Sequence, residues 1–305
     1  MTLVHGLLRL GAAVPSVAAV VLSGSIALAS SGGPDIPTNV KDGGATPSGA
    51  VQSASWSAAQ THIYAQKLQG LSLVASTSGR RASQAFSPTT ASRTTMALCP
   101  LTVGAATCSP PVSKSISIYN DPEPNSYYGY QCGPAAGHNA LGAYGVNVPI
   151  GAGYYPYASG LTQEMHTTSN GTDRTNMPNP LNSHQSQNVY SWQTLGTPAG
   201  ATNGTTDLIN YTVDDIWYND SPIYNIKTYG WDPIRGQWRY PFAQYYGVVI
   251  YHYIAAYGYT NNGAYIQISD SAVKGSHTGS QRYTQYYEDV WAAIHNHPAV
   301  DAILW

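Results

Sequence analysis

The chain has 305 residues, only 9% of them charged, and its 13 Lys and Arg against 15 Asp and Glu leave a net charge of −2. Globular chains average about 25% charged residues, so this one lacks the basic field that holds a phosphate backbone, and nucleic acid is not an expected partner. The same scarcity excludes a charge-rich disordered tail or a charged-heptad coiled coil; polarity comes from Ser, Thr, Asn, Gln and 25 Tyr, which suits the outside of cells.

At the amino terminus, the weakly basic stretch Met1 to Arg9 precedes an apolar, Ala/Val-rich run from Leu10 to Leu28 that closes on Ala27-Leu28-Ala29. Small residues at the first and third positions before a scissile bond are what signal peptidase accepts, so residues 1–29 read as a signal peptide. Gly24, Ser23 and Ser25 weaken the alternative of a membrane anchor, and no other stretch approaches 18 apolar residues. The expected product is secreted, bacterial in the compactness of its signal, and free of the membrane once the signal is removed.

Residues 30–115 are rich in Ser, Thr, Ala, Gly and Pro. They contain one periodic element, a helix predicted between Ser53 and Leu71 with Trp56, Ile63, Tyr64, Leu68 and Leu71 on one face. A lone amphipathic helix rarely folds unaided, so this part reads as a flexible or pro-like region carrying one docking helix. The three cysteines are Cys99, Cys108 and Cys132. In an oxidising exterior, Cys99 and Cys108 are placed to close a short loop worth about 2–3 kcal/mol. That leaves Cys132 as an odd thiol, either reactive or buried as a small hydrophobe.

From Tyr127 onward the texture changes: 23 of the 25 Tyr lie there, and acidic residues outnumber basic ones by 11 to 6. Residues 116–305 are long enough for one domain with its own core. Within it, Cys132-Gly133-Pro134-Ala135-Ala136-Gly137-His138-Asn139-Ala140-Leu141 predicts a helix beginning just after Cys132, with Pro in the first turn and Gly145 past the end. Ala135, Ala136, Gly137 and Ala140 would let this helix pack closely against a sheet. A thiol at a helix amino terminus is favoured as thiolate when a base is near; alone, the segment is equally readable as a turn.

A base is available farther on. Gly247 to Tyr259, which contains His252, predicts a strand, and Ala264 to Asp270 predicts its partner. Thr260-Asn261-Asn262-Gly263 between them accepts the positive φ of a tight turn. Centring the turn on Asn261 puts His252 opposite Asp270, since each is nine residues away, although a slip of one residue would flip the face of either. A His held by a carboxylate and facing a Cys at a helix start is what nucleophilic thiol catalysis requires. Cys132 would attack a carbonyl carbon, His252 would keep the thiol ionised and protonate the leaving amine, and Asp270 would fix the imidazole tautomer.

From about Ser117 to Trp305 the chain resembles papain-like cysteine peptidases of the bacteriocin-processing (double-glycine) type and their secreted bacterial relatives. The likeness rests on Cys132-Gly133-Pro134-Ala135, on His252-Tyr-Ile-Ala-Ala-Tyr-Gly258-Tyr259 and on Ile266-Gln-Ile-Ser-Asp270-Ser-Ala272. Weaker marks are Met165 to Thr172, Val213 to Ile226 with Pro222 starting a strand, and Tyr286 to Trp291 as a closing helix. The resemblance implies an α+β fold in which a helix bearing the Cys packs on an antiparallel sheet bearing the His and Asp, with hydrolysis of an extended peptide or protein substrate through a thiol acyl-enzyme. It also implies an oxyanion-donating Gln about six residues before the nucleophile, where this chain has Ser126. Gln131, Asn125 or backbone N–H groups of the Cys132 turn are the alternatives.

Other residues carry less. His277 and His295-Asn-His297 lack acidic or Cys partners at ligand spacing, so no metal and no cofactor is expected. Asp214-Asp215 and Glu288-Asp289 read as helix-start charges rather than a glycosidase pair, with Thr212 as a cap. Tyr154, Tyr155, Tyr157, Tyr245 and Tyr246 read as half-buried strand residues or as the lining of a groove for substrate or sugar rings. The reading that competes with an enzyme is a catalytically inert, tyrosine-rich module on the same fold that contacts the cell surface or wall; a polymerising surface protein is a third.

Overall fold

A computed structural model describes residues 58–84, 110–124, 130–195, 201–272, 281–298 and 301–305. The proposed signal at 1–29, Trp56, Cys99, Cys108, Asn125, Ser126 and His277 lie outside the described residues. In chain order the elements are α1 (Ala58–Gln84), β1 (Lys114–Ser115), α2 (Cys132–Leu141), α3 (Gly160–Glu164), α4 (Pro178–His184), β2 (Trp192–Thr194) and α5 (Ala201–Tyr218). They continue with β3 (Ile223–Lys227), β4 (Gly230–Asp232), β5 (Gln237–Arg239), β6 (Tyr251–Thr260), β7 (Tyr265–Asp270), β8 (Arg282–Tyr286), α6 (Tyr287–His295) and β9 (Ala302–Leu304). The fold is therefore mixed α+β, with six α-helices among the described residues and one main sheet whose strand pairs are all antiparallel.

The sheet runs β2-β9-β3-β6-β7-β8, and β1 pairs with the far end of β6. Successive side chains on a strand point to opposite faces, and β3 and β6 are apolar on both. Tyr224, Ile226, Ile254 and Ala256 join a core with Leu208 of α5 and Val290, Trp291 and Ile294 of α6. Ile223, Tyr253 and Ala255 join a second core with Ala136 and Ala140 of α2, Leu161 of α3 and Leu181 of α4. The strands read as near-continuous apolar runs because helices cover both faces.

The predicted hairpin forms with a shifted register. Its loop spans Asn261 to Ala264, with positive φ at Asn261, Asn262 and Gly263, and an extra residue, Tyr257, is inserted between the pairs Ala256–Ile268 and Gly258–Gln267. Asp270 consequently stands opposite Ile254, and His252 stands opposite Ile226 of β3. His252 and Asp270 are diagonal neighbours on one face, within reach of long side chains.

Helix α2 starts at Cys132, continues as a 3₁₀ turn over Gly142–Tyr144 and ends at Gly145, whose φ is +68°. Every residue of Cys132–Leu141 is buried, which its small side chains allow. Gly137 faces α3 and α4 rather than the sheet: a Cβ there would stand 2.8 Å from Met165 Cε and 3.1 Å from Leu181 Cδ2.

Helix α1 packs with most of the expected face, Tyr64 and Leu71 lying against the main core and Tyr64 edge-on to Trp305 at 6.0 Å, but not with all of it. Leu68 is 45% exposed, whereas Lys67 is buried, its Nζ 2.8 Å from Asp215 Oδ1, 2.9 Å from Asn188 Oδ1 and 4.3 Å from the centre of the Trp305 ring. The apolar periodicity placed Leu68 inside and passed over Lys67 because a paired cation occupies the centre of the buried face. Asp214 and Asp215 are accordingly not helix-start surface charges. They lie buried inside α5, as does Thr212, which is no cap and shares a 2.7 Å hydrogen bond with the Tyr224 hydroxyl. Burial pushes Asp215 up to about 6 against the pull of Lys67, pushes Asp220 up to about 8, and raises Asp214 well above the usual carboxylate range.

Candidate active site

Three elements converge at one end of β6. Cys132 is the first residue of α2, His252 is the second residue of β6 and Asp270 is the last of β7. His252 Nε2 lies 2.8 Å from Asp270 Oδ1. A carboxylate only accepts, so Nε2 carries the proton and Nδ1 is left as the basic nitrogen. The Cys132 sulfur is close enough to favour the imidazolium, both as a hydrogen-bonding group and by its charge. Nδ1 has no partner of ordinary hydrogen-bond geometry, and with Nε2 on Asp270 it is the ring nitrogen left to take a proton from the sulfur. Cys132 is a free cysteine, and it and His252 are fully buried.

Asp270 is held from four directions. Oδ1 also accepts from the Ala272 N–H at 3.0 Å, while Oδ2 accepts from the Tyr245 and Tyr283 hydroxyls, each at 2.7 Å. Burial alone would raise its pKa; the His252 charge and hydrogen bond, the Tyr283 hydroxyl and the Ala272 N–H bring it down to about 2. Conversely, burial would lower the His252 pKa, and Asp270 together with the Cys132 sulfur lifts it well above 6.5. The pair is an acceptor and a cation that stabilise each other.

Gln131, the expected oxyanion donor, is turned elsewhere. Its side-chain Nε2 donates to Thr162 Oγ1 at 3.2 Å and to the Gly151 and Gly153 carbonyls at 3.4 Å. That amide pins the 150–162 segment to the start of α2 and is not free for the site. Its backbone N–H instead donates to Glu123 Oε2 at 3.2 Å.

Glu123 is the site residue that sequence reasoning missed. It is buried, its N–H donates to the Ser271 carbonyl at 2.9 Å, and Oε1 lies 3.9 Å from His252 Nδ1. Burial raises its pKa to about 7, opposed by the His252 charge and the Gln131 N–H and reinforced by Asp270. The available signal was an acidic residue between two prolines, Pro122 and Pro124, in a chain with few acids. Tyr283 was missed as well, and nothing marks it among 25 Tyr.

No family model, curated protein or solved structure matches this chain.

The remaining candidates scatter. Tyr245 is fully buried behind Asp270; Tyr157 and Tyr246 are 93% and 80% exposed, and none of the five singled-out tyrosines is in a strand. His295 pairs with Asp301 at 2.8 Å and stacks on Trp291, whereas His297 is buried and held down to about 3 by burial. Among the described residues no group of three or more His, Cys, Asp or Glu is gathered to hold a metal, and no helix is long and apolar enough to cross a membrane.

Proposed function

We propose that the chain is a secreted cysteine peptidase or amidase of papain-like type, acting on an extended peptide or protein through an acyl-enzyme on Cys132. The observation that carries this reading is the convergence of a free thiol at a helix start with an imidazole whose far nitrogen is fixed by a buried carboxylate, from positions 120 residues apart in the chain. Cys132 is the nucleophile, His252 Nδ1 the base that takes its proton and later returns it to the leaving amine, and Asp270 the group that fixes the tautomer. Because the thiol is fully buried, substrate entry requires a local opening over α2, and a small reagent reports it. Iodoacetamide at neutral pH should alkylate Cys132 faster than a free model thiol, and His252→Ala should remove the excess. Equal rates for Cys132 and the model thiol, unchanged by the substitution, would end this reading.

The inert binding module on the same fold is favoured by one separate observation. The β4–β5 hairpin presents Trp231 and Trp238, 43% and 62% exposed and edge-on to each other, braced by Arg235 and Arg239 on Asp232. Exposed aromatic rings of this kind suit contact with cell-wall material. The alkylation experiment separates the two readings.

A further inference from the structure

A thiol that attacks a carbonyl makes an oxyanion, and an acyl-transfer site needs a donor aimed at it. Gln131 cannot supply it, since its amide serves Thr162, Gly151 and Gly153. Among the described residues, Glu123 places Oε1 3.9 Å from His252 Nδ1, the ring nitrogen not taken by Asp270. Oε2 already accepts the Gln131 N–H, so Oε1 is the oxygen left to carry a proton.

We propose, resting on the thiol-peptidase reading above, that Glu123 is the oxyanion donor, acting through a protonated carboxyl whose Oε1–H points at the developing negative charge. An ionised Glu123 would do the opposite and repel the oxyanion. The groups that face it decide its state. His252 from β6 favours the anion, as does the Gln131 N–H ahead of α2; Asp270 at the end of β7 opposes it, as does removal from water. The balance holds Glu123 at about 7, so the neutral form predominates in mildly acidic solution and is lost above neutrality. In the step itself the thiolate forms the C–S bond and the carbonyl π pair moves onto oxygen. Glu123 Oε1–H hydrogen-bonds that oxygen without giving up its proton, and collapse of the intermediate returns the pair to the carbonyl and expels the leaving group.

The test compares two reagents on the full chain. p-Nitrophenyl acetate acylates Cys132 through an oxyanion and releases p-nitrophenolate, whereas iodoacetamide alkylates the same sulfur by displacement and forms none. At pH 6, Glu123→Ala should slow acylation by about 10²-fold and alkylation by less than threefold. Glu123→Gln, which keeps a donor of the same shape, should hold acylation within about tenfold of wild type. The wild-type ratio of acylation to alkylation should fall as pH rises through about 7, and the Gln variant's ratio should stay level. Equal losses in both reactions would make Glu123 a support for the imidazole, and a Gln variant as poor as Ala would mean that the anion is the working form; either overturns the proposal. If wild-type alkylation shows no dependence on His252, the thiol-peptidase reading has failed first, visibly before any Glu123 variant is compared, and this proposal falls with it.

Discussion

Replacing Lys67 by Met tests whether α1 belongs to the folded domain by virtue of one buried cation. The substitution keeps the stem that lies over Trp305 and removes the charge paired with Asp215 at 2.8 Å. Breaking one side of a buried ion pair costs about 3–5 kcal/mol because the other charge is left uncompensated. For a domain of this size each kcal/mol moves the melting temperature by about 2–4 °C, so the fall at pH 7.5 should be roughly 6–20 °C. The loss should also depend on pH. Asp215 already stands at about 6 with its cation present, so below that pH it is neutral in both proteins and the gap closes. Lys67→Met with Asp215→Asn should recover more than half of the loss, since Asp214 and Asp220 are themselves raised by burial and accept protonation. Thermal melts of the three proteins at pH 5 and 7.5 provide the assay. A drop under about 3 °C, an equal drop at both pH values, or no recovery in the double variant would refute the electrostatic account of the docking.

Three other outcomes follow from the site and the packing around it. Asp270→Asn removes the negative charge that supports the His252 imidazolium; an unassisted thiol of pKa about 8.5 is only about 0.3% ionised at pH 6, so iodoacetamide alkylation there should slow by about 10²-fold, and a change under threefold would remove Asp270 from the site. Tyr283→Phe deletes one of the two hydroxyls on Asp270 Oδ2; it should cost about 1–2 kcal/mol in urea unfolding and slow alkylation by less than the Asn variant does. Gly137→Val forces a side chain against Met165 Cε, 2.8 Å from where its Cβ would stand, and should cost about 1–3 kcal/mol; unchanged melting would mean that α2 is not pressed against α3 and α4.

The framework of the site was legible because its elements are punctuated. Pro134 and Gly145 mark the ends of α2 and its 3₁₀ extension, and Asn261-Asn262-Gly263 marks the β6–β7 loop, each through a backbone preference that acts locally. The register was misplaced by two residues because a bulge at Tyr257 and a four-residue loop leave no compositional trace. The pair survived the error since diagonal neighbours of this length still touch. Glu123, Lys67 and Tyr283 were illegible for a different reason. Each matters through a partner more than 100 residues away or in another element, and nothing in the local sequence distinguishes a buried, paired charge from a solvated one. The same blindness placed Asp214 and Asp215 on the surface.

Both buried polar clusters lead to one pH dependence. Glu123 at about 7, Asp215 at about 6 and Asp220 at about 8 are carboxyls raised by folding. Each therefore contributes stability that is complete below about 4, the value in the unfolded chain, and is lost progressively from there up to its folded value of about 6 to 8. His252, raised well above 6.5, acts in the same direction. Asp270, lowered to about 2, acts oppositely: its contribution is complete above about 4 and is lost as pH falls toward 2. For Glu123 alone the displacement from 4.5 to about 7 corresponds to about 3 kcal/mol at 1.36 kcal/mol per pH unit. Melting temperature measured from pH 3 to 9 should thus peak near pH 4 and decline from there through neutrality. A steady rise from pH 5 to 8 would mean that these carboxyls are ionised without penalty and would refute this account of their burial.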